Sequence, residues 1–342
     1  MTMISRRALL GAGIAAGAAL PFSGRNVFAR DTLNILSWGW GYDKAVKDAV
    51  LPRFQDASVE LEIGTNAANY AKLIAQRSNP VLSGGLFNGT FSYRGYVDKL
   101  WLPLEKSSIP NGANIDDINY LETGGVVFGV QPYGVIYNPK FVDEPKSYLD
   151  LFDPKYKGKI GLSDYYFDGF SLTSKAMGKD IDDVPAGIDE WAKHLANIGP
   201  WNQSPAQVAD LVERGELWMA FTFGGIAAGA IAAGKKIAFT IPSEGSTAVA
   251  DVVQVLDGFD DKTTAMTRTF SGLLFDDQAQ EAFTRNVFTS PVSKTAGIPA
   301  ELASNPALLS PEQVARLYRP NLRLGAEKYG YYKNLVNMKL KV

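Results

Sequence analysis

The sequence predicts an α/β protein of two lobes. Once an N-terminal leader is set aside, about 310 residues remain, more than one hydrophobic core usually organises. Hydrophobic residues make up 46% of the chain, enough to fill two cores. Strand-like runs alternate with helical ones, the order that gives parallel strand pairs joined by crossovers.

Residues 33–37 read as the first strand, which runs into Trp38-Gly39-Trp40-Gly41-Tyr42, too glycine-rich to continue it. Ala45, Val46, Ala49, Val50, Leu51 and Phe54 recur at helical spacing, and residues 59–63 alternate as a second strand. Residues 69–74 read as helix and 85–88 as a short strand opening into 89–93. Residues 126–138 are extended and apolar, interrupted by Pro132 and Gly134, and suit a strand crossing between lobes. Residues 249–256 suit the return. Between the crossings lie strands at 159–162, 217–223 and 237–241, a helix around 187–198 and a small-residue helix at 224–234. The remainder reads as mostly helical, including 278–288 and 311–317. This order assigns residues 30–135 and 249–342 to lobe 1 and residues 136–248 to lobe 2.

Residues 1–29 have the parts of a secretory signal: Arg6 and Arg7, an apolar run, and Val27-Phe28-Ala29 as a cleavage site. The paired arginines favour the twin-arginine route, and the mature, periplasmic chain is expected to begin near Arg30. The glycine pattern at 11–17 has no strand before it and is a decoy for dinucleotide binding. Losing Arg6, Arg7 and Arg25 with no acid takes the formal charge from −2 to about −5. No basic stripe recommends a nucleic-acid partner.

The chain has no cysteine, which excludes disulfides and thiolate metal sites, and one histidine. That residue, His194, shares a helical stretch with Trp191 and Leu195 and reads as structural. Nucleophilic triads lack their parts, so the expectation is a non-enzyme with no cofactor and no metal. Asn88-Gly89-Thr90 and Asn202-Gln203-Ser204 match a glycosylation pattern that the export route makes irrelevant. Gly224-Gly225 opens a helix whose free N–H groups suit an anion or, more simply, close packing on a sheet.

What remains is a set of aromatics and acids at strand ends: Trp38, Trp40, Phe91, Tyr93, Tyr133, Tyr165, Tyr166, Asp168, Trp201, Phe223 and Asp251. The stretch 163–170, SDYYFDGF, concentrates them. Ligands of open α/β sheets gather beyond the carboxyl ends of the strands, and rings with a few carboxylates there suit a cation. An ammonium on a ring face gains about 0.5–2 kcal/mol.

These residues resemble the periplasmic spermidine/putrescine-binding proteins, the solute receptors of ABC importers. Ser37-Trp38 is similar to the family's Asn-Trp, Asn69-Tyr70-Ala71-Lys72-Leu73 to its Met-Tyr-Ala-Lys-Leu, and Pro242-Ser243-Glu244-Gly245 to its Pro-Lys-Glu-Gly. The most specific patch is Asp153-Pro154-Lys155-Tyr156-Lys157-Gly158-Lys159, and residues 215–251 match without a gap. The resemblance implies the two-lobed periplasmic-binding fold with a two-strand hinge, a small amine ligand, an ABC permease as partner and a monomeric receptor. Of the family's paired acids, the first falls on Tyr165 and the second on Asp168. Its stacking tryptophan falls on Phe223, and its Trp-x-Asp on Val249 and Asp251, while Trp38 is kept.

One carboxylate and one ring of the polyamine clamp are therefore missing. A diamine and an ω-amino acid such as 4-aminobutyrate remain equal candidates, the carboxylate of the latter meeting Arg94 or the Gly224–Gly225 amides. Adjacent Tyr165 and Tyr166 suit a ferric-ion receptor of the same fold as the alternative, and a secreted enzyme using carboxylates alone is the rival from another class.

Overall fold

The computed structural model describes residues 31–164, 166–201 and 204–341. The leader, Tyr165 and the Asn202-Gln203 pair lie outside the described residues. The chain opens with β1 (Thr32–Ser37) and α1 (Tyr42–Ala45), which continues through a π turn and a 3-10 turn to Arg53. Then come β2 (Ser58–Ile63), α2 (Asn66–Ala75), β3 (Leu82–Asn88), α3 (Gly89–Val97), β4 (Trp101–Leu102) and β5 (Val126–Tyr137). The middle of the chain gives β6 (Ile160–Gly161), α4 (Asp168–Ala176), α5 (Val184–Lys193), α6 (Pro205–Glu213), β7 (Met219–Phe223), α7 (Gly224–Ala232) and β8 (Ala238–Thr240). Last are β9 (Ala248–Leu256), α8 (Asp261–Leu273), α9 (Asp277–Val287), α10 (Pro311–Val314) and α11 (Leu322–Leu340).

The strands pair in the order β2-β1-β3-β9-β5-β7-β6, with β4 added to β9 and β8 to β5. The first three are mutually parallel, as the strand-helix-strand order predicts. Both long apolar runs are the central strands: β5 lies antiparallel to β9 through Val126–Pro132, then antiparallel to β7 through Tyr133–Tyr137. Pro132 does not break β5. It sits opposite Ala248, the first residue of β9, where β5 changes partner, so its missing N–H costs the ladder little.

Two further stretches differ from the sequence expectation. The run after Asn88 is helix α3, because the Asn88 side chain accepts the Phe91 N–H at 3.1 Å and caps it. The aromatic stretch 163–170 likewise passes from loop into α4, with Asp168 as its first helical residue.

Two main cores lie along this sheet. Leu33, Ile35, Phe128, Val252, Phe270 and Phe283 belong to one, formed by β1, β5, β9, α8 and α9. The other gathers Val135, Ile160, Trp191 and Phe221 with Tyr332, Val336 and Leu340 of the C-terminal helix α11. Trp191 is fully buried, and its indole N–H donates to the Thr173 hydroxyl at 3.1 Å, tying α5 to α4. His194 stacks on Phe152 with centroids 4.2 Å apart and meets Glu190 at 3.3 Å, the structural role read from its sequence context.

Gly95 shows how tightly the edge of the sheet is packed. A methyl group there would overlap the buried Trp101 indole, whose N–H donates to the Ser92 carbonyl at 2.8 Å. Gly95→Ala, a change that favours most helices, is expected to destabilise this protein by about 1–3 kcal/mol. Urea unfolding of the variant beside wild type measures it.

Candidate functional site

A cavity of about 800 Å³ opens between α3, α4, the start of β9 and the segment leading into α11. Asn88, Phe91, Arg94, Tyr166, Asp168 and Arg319 contribute to its wall. Helix α3 presents Phe91 near Tyr70, centroids 5.5 Å apart, and Arg94 lies over both rings at 5.2 and 5.1 Å. Asp168 stands in the first turn of α4, where the helix amides favour negative charge. Burial raises its pKa, and the Thr247 hydroxyl opposes that rise.

Next to the cavity is a second cluster built around Asp251. This residue lies in β9 opposite Asn88 of β3 and Gly129 of β5. It is only 6% exposed, and the Tyr42 hydroxyl donates to its Oδ2 at 2.7 Å. The Tyr42 ring meets Trp38 edge-on at 4.8 Å. Burial pushes the Asp251 pKa up to about 7, opposed by the Tyr42 hydrogen bond, and raises Tyr42 well above its ordinary value. Tyr166 belongs to both environments. It lines the cavity, its ring packs edge-on against Phe223 at 4.4 Å, and Phe223 in turn meets Tyr133 at 5.3 Å. Burial, then the charges of Asp168 and Asp251, push the Tyr166 hydroxyl up to about 12, opposed by a hydrogen bond with Asn88.

The structure thus gathers Phe91, Arg94 and Asp168 at the cavity wall, and Trp38 and Asp251 around Tyr42. Tyr133 and Phe223 are buried in the second core behind Tyr166. Two expected site residues lie elsewhere. Trp40 is 90% exposed, with a left-handed φ of 55°, and points away from any wall. Trp201 packs at the margin of the second core, with the Lys341 ammonium 4.7 Å over its ring. Tyr165, the partner of Tyr166 in the pair considered for ferric ion, lies outside the described residues. Tyr93 is buried within α3, its hydroxyl 3.4 Å from Glu327.

The Gly224–Gly225 turn has no room for side chains. Added side-chain atoms would meet the Ala307 carbonyl and Pro132 at the first glycine and the Gln131 side chain at the second. This is the close packing that small residues permit. Sequence reasoning missed Tyr42, Asn88 and Arg319 as site residues. Tyr42 had a signal, since it follows Trp38 by four positions at the start of a helix, whereas Arg319 sat in a stretch read only as helical.

The Asp251 pKa has a consequence for stability. A carboxyl that titrates near 7 when folded and near ~3.9 when unfolded stabilises the fold most below pH ~4, and that contribution is lost as pH rises to about 7. Asp251→Asn keeps the acceptor for Tyr42 and removes the charge. The variant is expected to be more stable than wild type at pH 8 by on the order of 3 kcal/mol, with the difference vanishing toward pH 4. Denaturant unfolding at several pH values reads this out, and parallel profiles would contradict it.

Comparison with known proteins agrees with this architecture. A family model described as bacterial extracellular solute-binding protein matches residues 60–310. The spermidine/putrescine-binding periplasmic protein of Salmonella typhimurium is 26% identical over 325 residues, covering 87% of this chain and 86% of that protein, and its Escherichia coli counterpart gives the same values. Among solved structures, an ABC transporter from Clostridium perfringens superposes with a TM-score of 0.78 at 19% identity, covering 90% of this chain and 99% of that one. A GABA receptor gives 0.72 at 19% identity, covering 89% and 96%. The fold is therefore the two-lobed periplasmic-binding fold expected from the sequence, and the chain belongs to the family of bacterial extracellular solute-binding proteins.

Proposed function

We propose that this chain is the periplasmic receptor of an ABC importer and captures a small solute that carries an amine, either a short diamine or an ω-amino acid. One observation carries the reading: Asp251 and Asp168 are carboxylates withdrawn from water close enough to Tyr166 for both to act on its hydroxyl, and among the described residues neither has a Lys or Arg partner. Buried carboxylates without a counter-charge are unfavourable, so a bound ammonium relieves both them and itself. Trp38, Tyr42, Tyr166 and Phe223 surround the acids with aromatic rings, whose faces attract a cation. The names of the curated relatives, spermidine/putrescine-binding proteins, and of the GABA receptor among the structural neighbours support an amine ligand.

In this reading, residues 1–29 direct export and are removed, and β5 and β9 act as the hinge between lobes. The solute bridges the lobes, the closed form is favoured because only it buries the ligand, and that form docks on the permease. No bond is made or broken. A charge-assisted hydrogen bond of roughly 1.5–3 kcal/mol with two ring contacts supports micromolar affinity after association costs.

Calorimetric titration with putrescine and 4-aminobutyrate tests it. At pH 7.5 wild type is expected to bind at least one of them with micromolar affinity, and Asp251→Ala to bind roughly 30-fold more weakly. Because Asp251 must give up its proton to meet an ammonium, affinity should fall about tenfold per unit as the pH drops below 7. If no small amine binds better than millimolar, the reading is wrong.

A further inference from the structure

We infer that Arg319 anchors a carboxylate of the ligand, so that the solute is an ω-amino acid with opposite charges at its two ends rather than a diamine. The inference rests on the amine-receptor reading and decides between its two candidates. It starts from an unanswered charge. Arg319 lines the cavity, and its Nη2 donates to the Asn119 side chain at 3.0 Å. Its Nε and Nη1 are buried with no hydrogen-bond partner, and no acid among the described residues pairs with it. Burial alone lowers its pKa, with no carboxylate opposing. A guanidinium left this way has lost water without gaining a substitute, and a carboxylate matches its fork with two parallel hydrogen bonds.

The backbone holds Arg319 in place. The preceding Tyr318 accepts the Ala248 N–H at 2.8 Å and donates its own N–H to Ser246 at 2.9 Å, so this segment is laddered to the start of β9. Thr247, in the middle of that ladder, is the residue that faces Asp168. Asp168 and the unpaired Arg319 therefore both line the cavity beside the same short stretch. Of the other anion sites expected from the sequence, Arg94 lines the same cavity but is exposed to water and stacked on rings, and neither Gly224 nor Gly225 is in the cavity wall. A diamine would bring its second ammonium toward Arg319, where like charges repel.

The experiment is calorimetry with 4-aminobutyrate, putrescine and butyrate on wild type, Arg319→Gln and Arg319→Lys, with thermal unfolding to confirm that each variant is folded. Wild type should prefer 4-aminobutyrate over putrescine. Arg319→Gln should weaken 4-aminobutyrate roughly 100-fold and leave putrescine unchanged or tighter, while Arg319→Lys, which keeps the charge without the fork, should lose about tenfold. Tighter binding of putrescine by wild type, or equal effects of Arg319→Gln on both ligands, overturns the carboxylate anchor and leaves the amine receptor standing. Butyrate binding that depends on Arg319, with no response to either amine, supports the anchor and removes the amine reading. No binding of any of the three removes both.

Discussion

The antiparallel ladder between β5 and β9 is the constraint on which the rest of the molecule depends. Along Val126–Pro132 it supplies partners for backbone groups that are otherwise buried, and it fixes which face of β9 meets the aromatic cluster. A slip of one residue would turn Asp251 to the opposite face of the sheet. The ladder is irregular at one place, between Val127 and Gly129, directly opposite Asp251. There the backbone of β5 runs so close to Thr289 that a side chain at position 129 would collide with its hydroxyl group. Glycine at that position keeps the neighbourhood of the carboxylate compact.

The second constraint is electrostatic. Desolvation dominates the titration of Asp251, Asp168, Tyr42 and Tyr166, which lie within one connected neighbourhood. The phenols partly compensate the acids: Tyr42 donates to Asp251, and Tyr166 stays protonated beside both carboxylates. Hydrogen bonds of this kind tolerate a charge without neutralising it. Folding therefore retains acids whose charged form is poorly solvated, at a cost to stability that the rest of the core offsets.

Much of this was legible in the sequence, for identifiable reasons. The long apolar runs at 126–138 and 249–256 marked the two central strands of the sheet because few other segments lack polar alternation over such a length. The first-strand exit at Trp38 and the position of Asp251 followed from a resemblance spread over most of the chain. What the sequence hid was long-range. Arg319 is unremarkable by local pattern, and only its pairing with the turn before β9 brings it to the cavity. Asn88 was read through a glycosylation pattern, whereas its side chain caps a helix. Trp40 looked equivalent to Trp38, but two residues of glycine-rich turn with left-handed backbone point it outward. Turn geometry of that kind carries no periodic signal.

The C-terminal helix adds a third tie. After α10, whose Val314 belongs to the first core, the chain crosses at Arg319-Pro320-Asn321 and buries Tyr332, Val336 and Leu340 in the second. Leu322 at the start of α11 also presses on Gly89 of α3. A pair of adjacent threads lets two bodies swivel about the thread axis as well as bend across it. For lobes that move as proposed, a tether attached off that axis resists the swivel more than the bend, which favours a door-like swing.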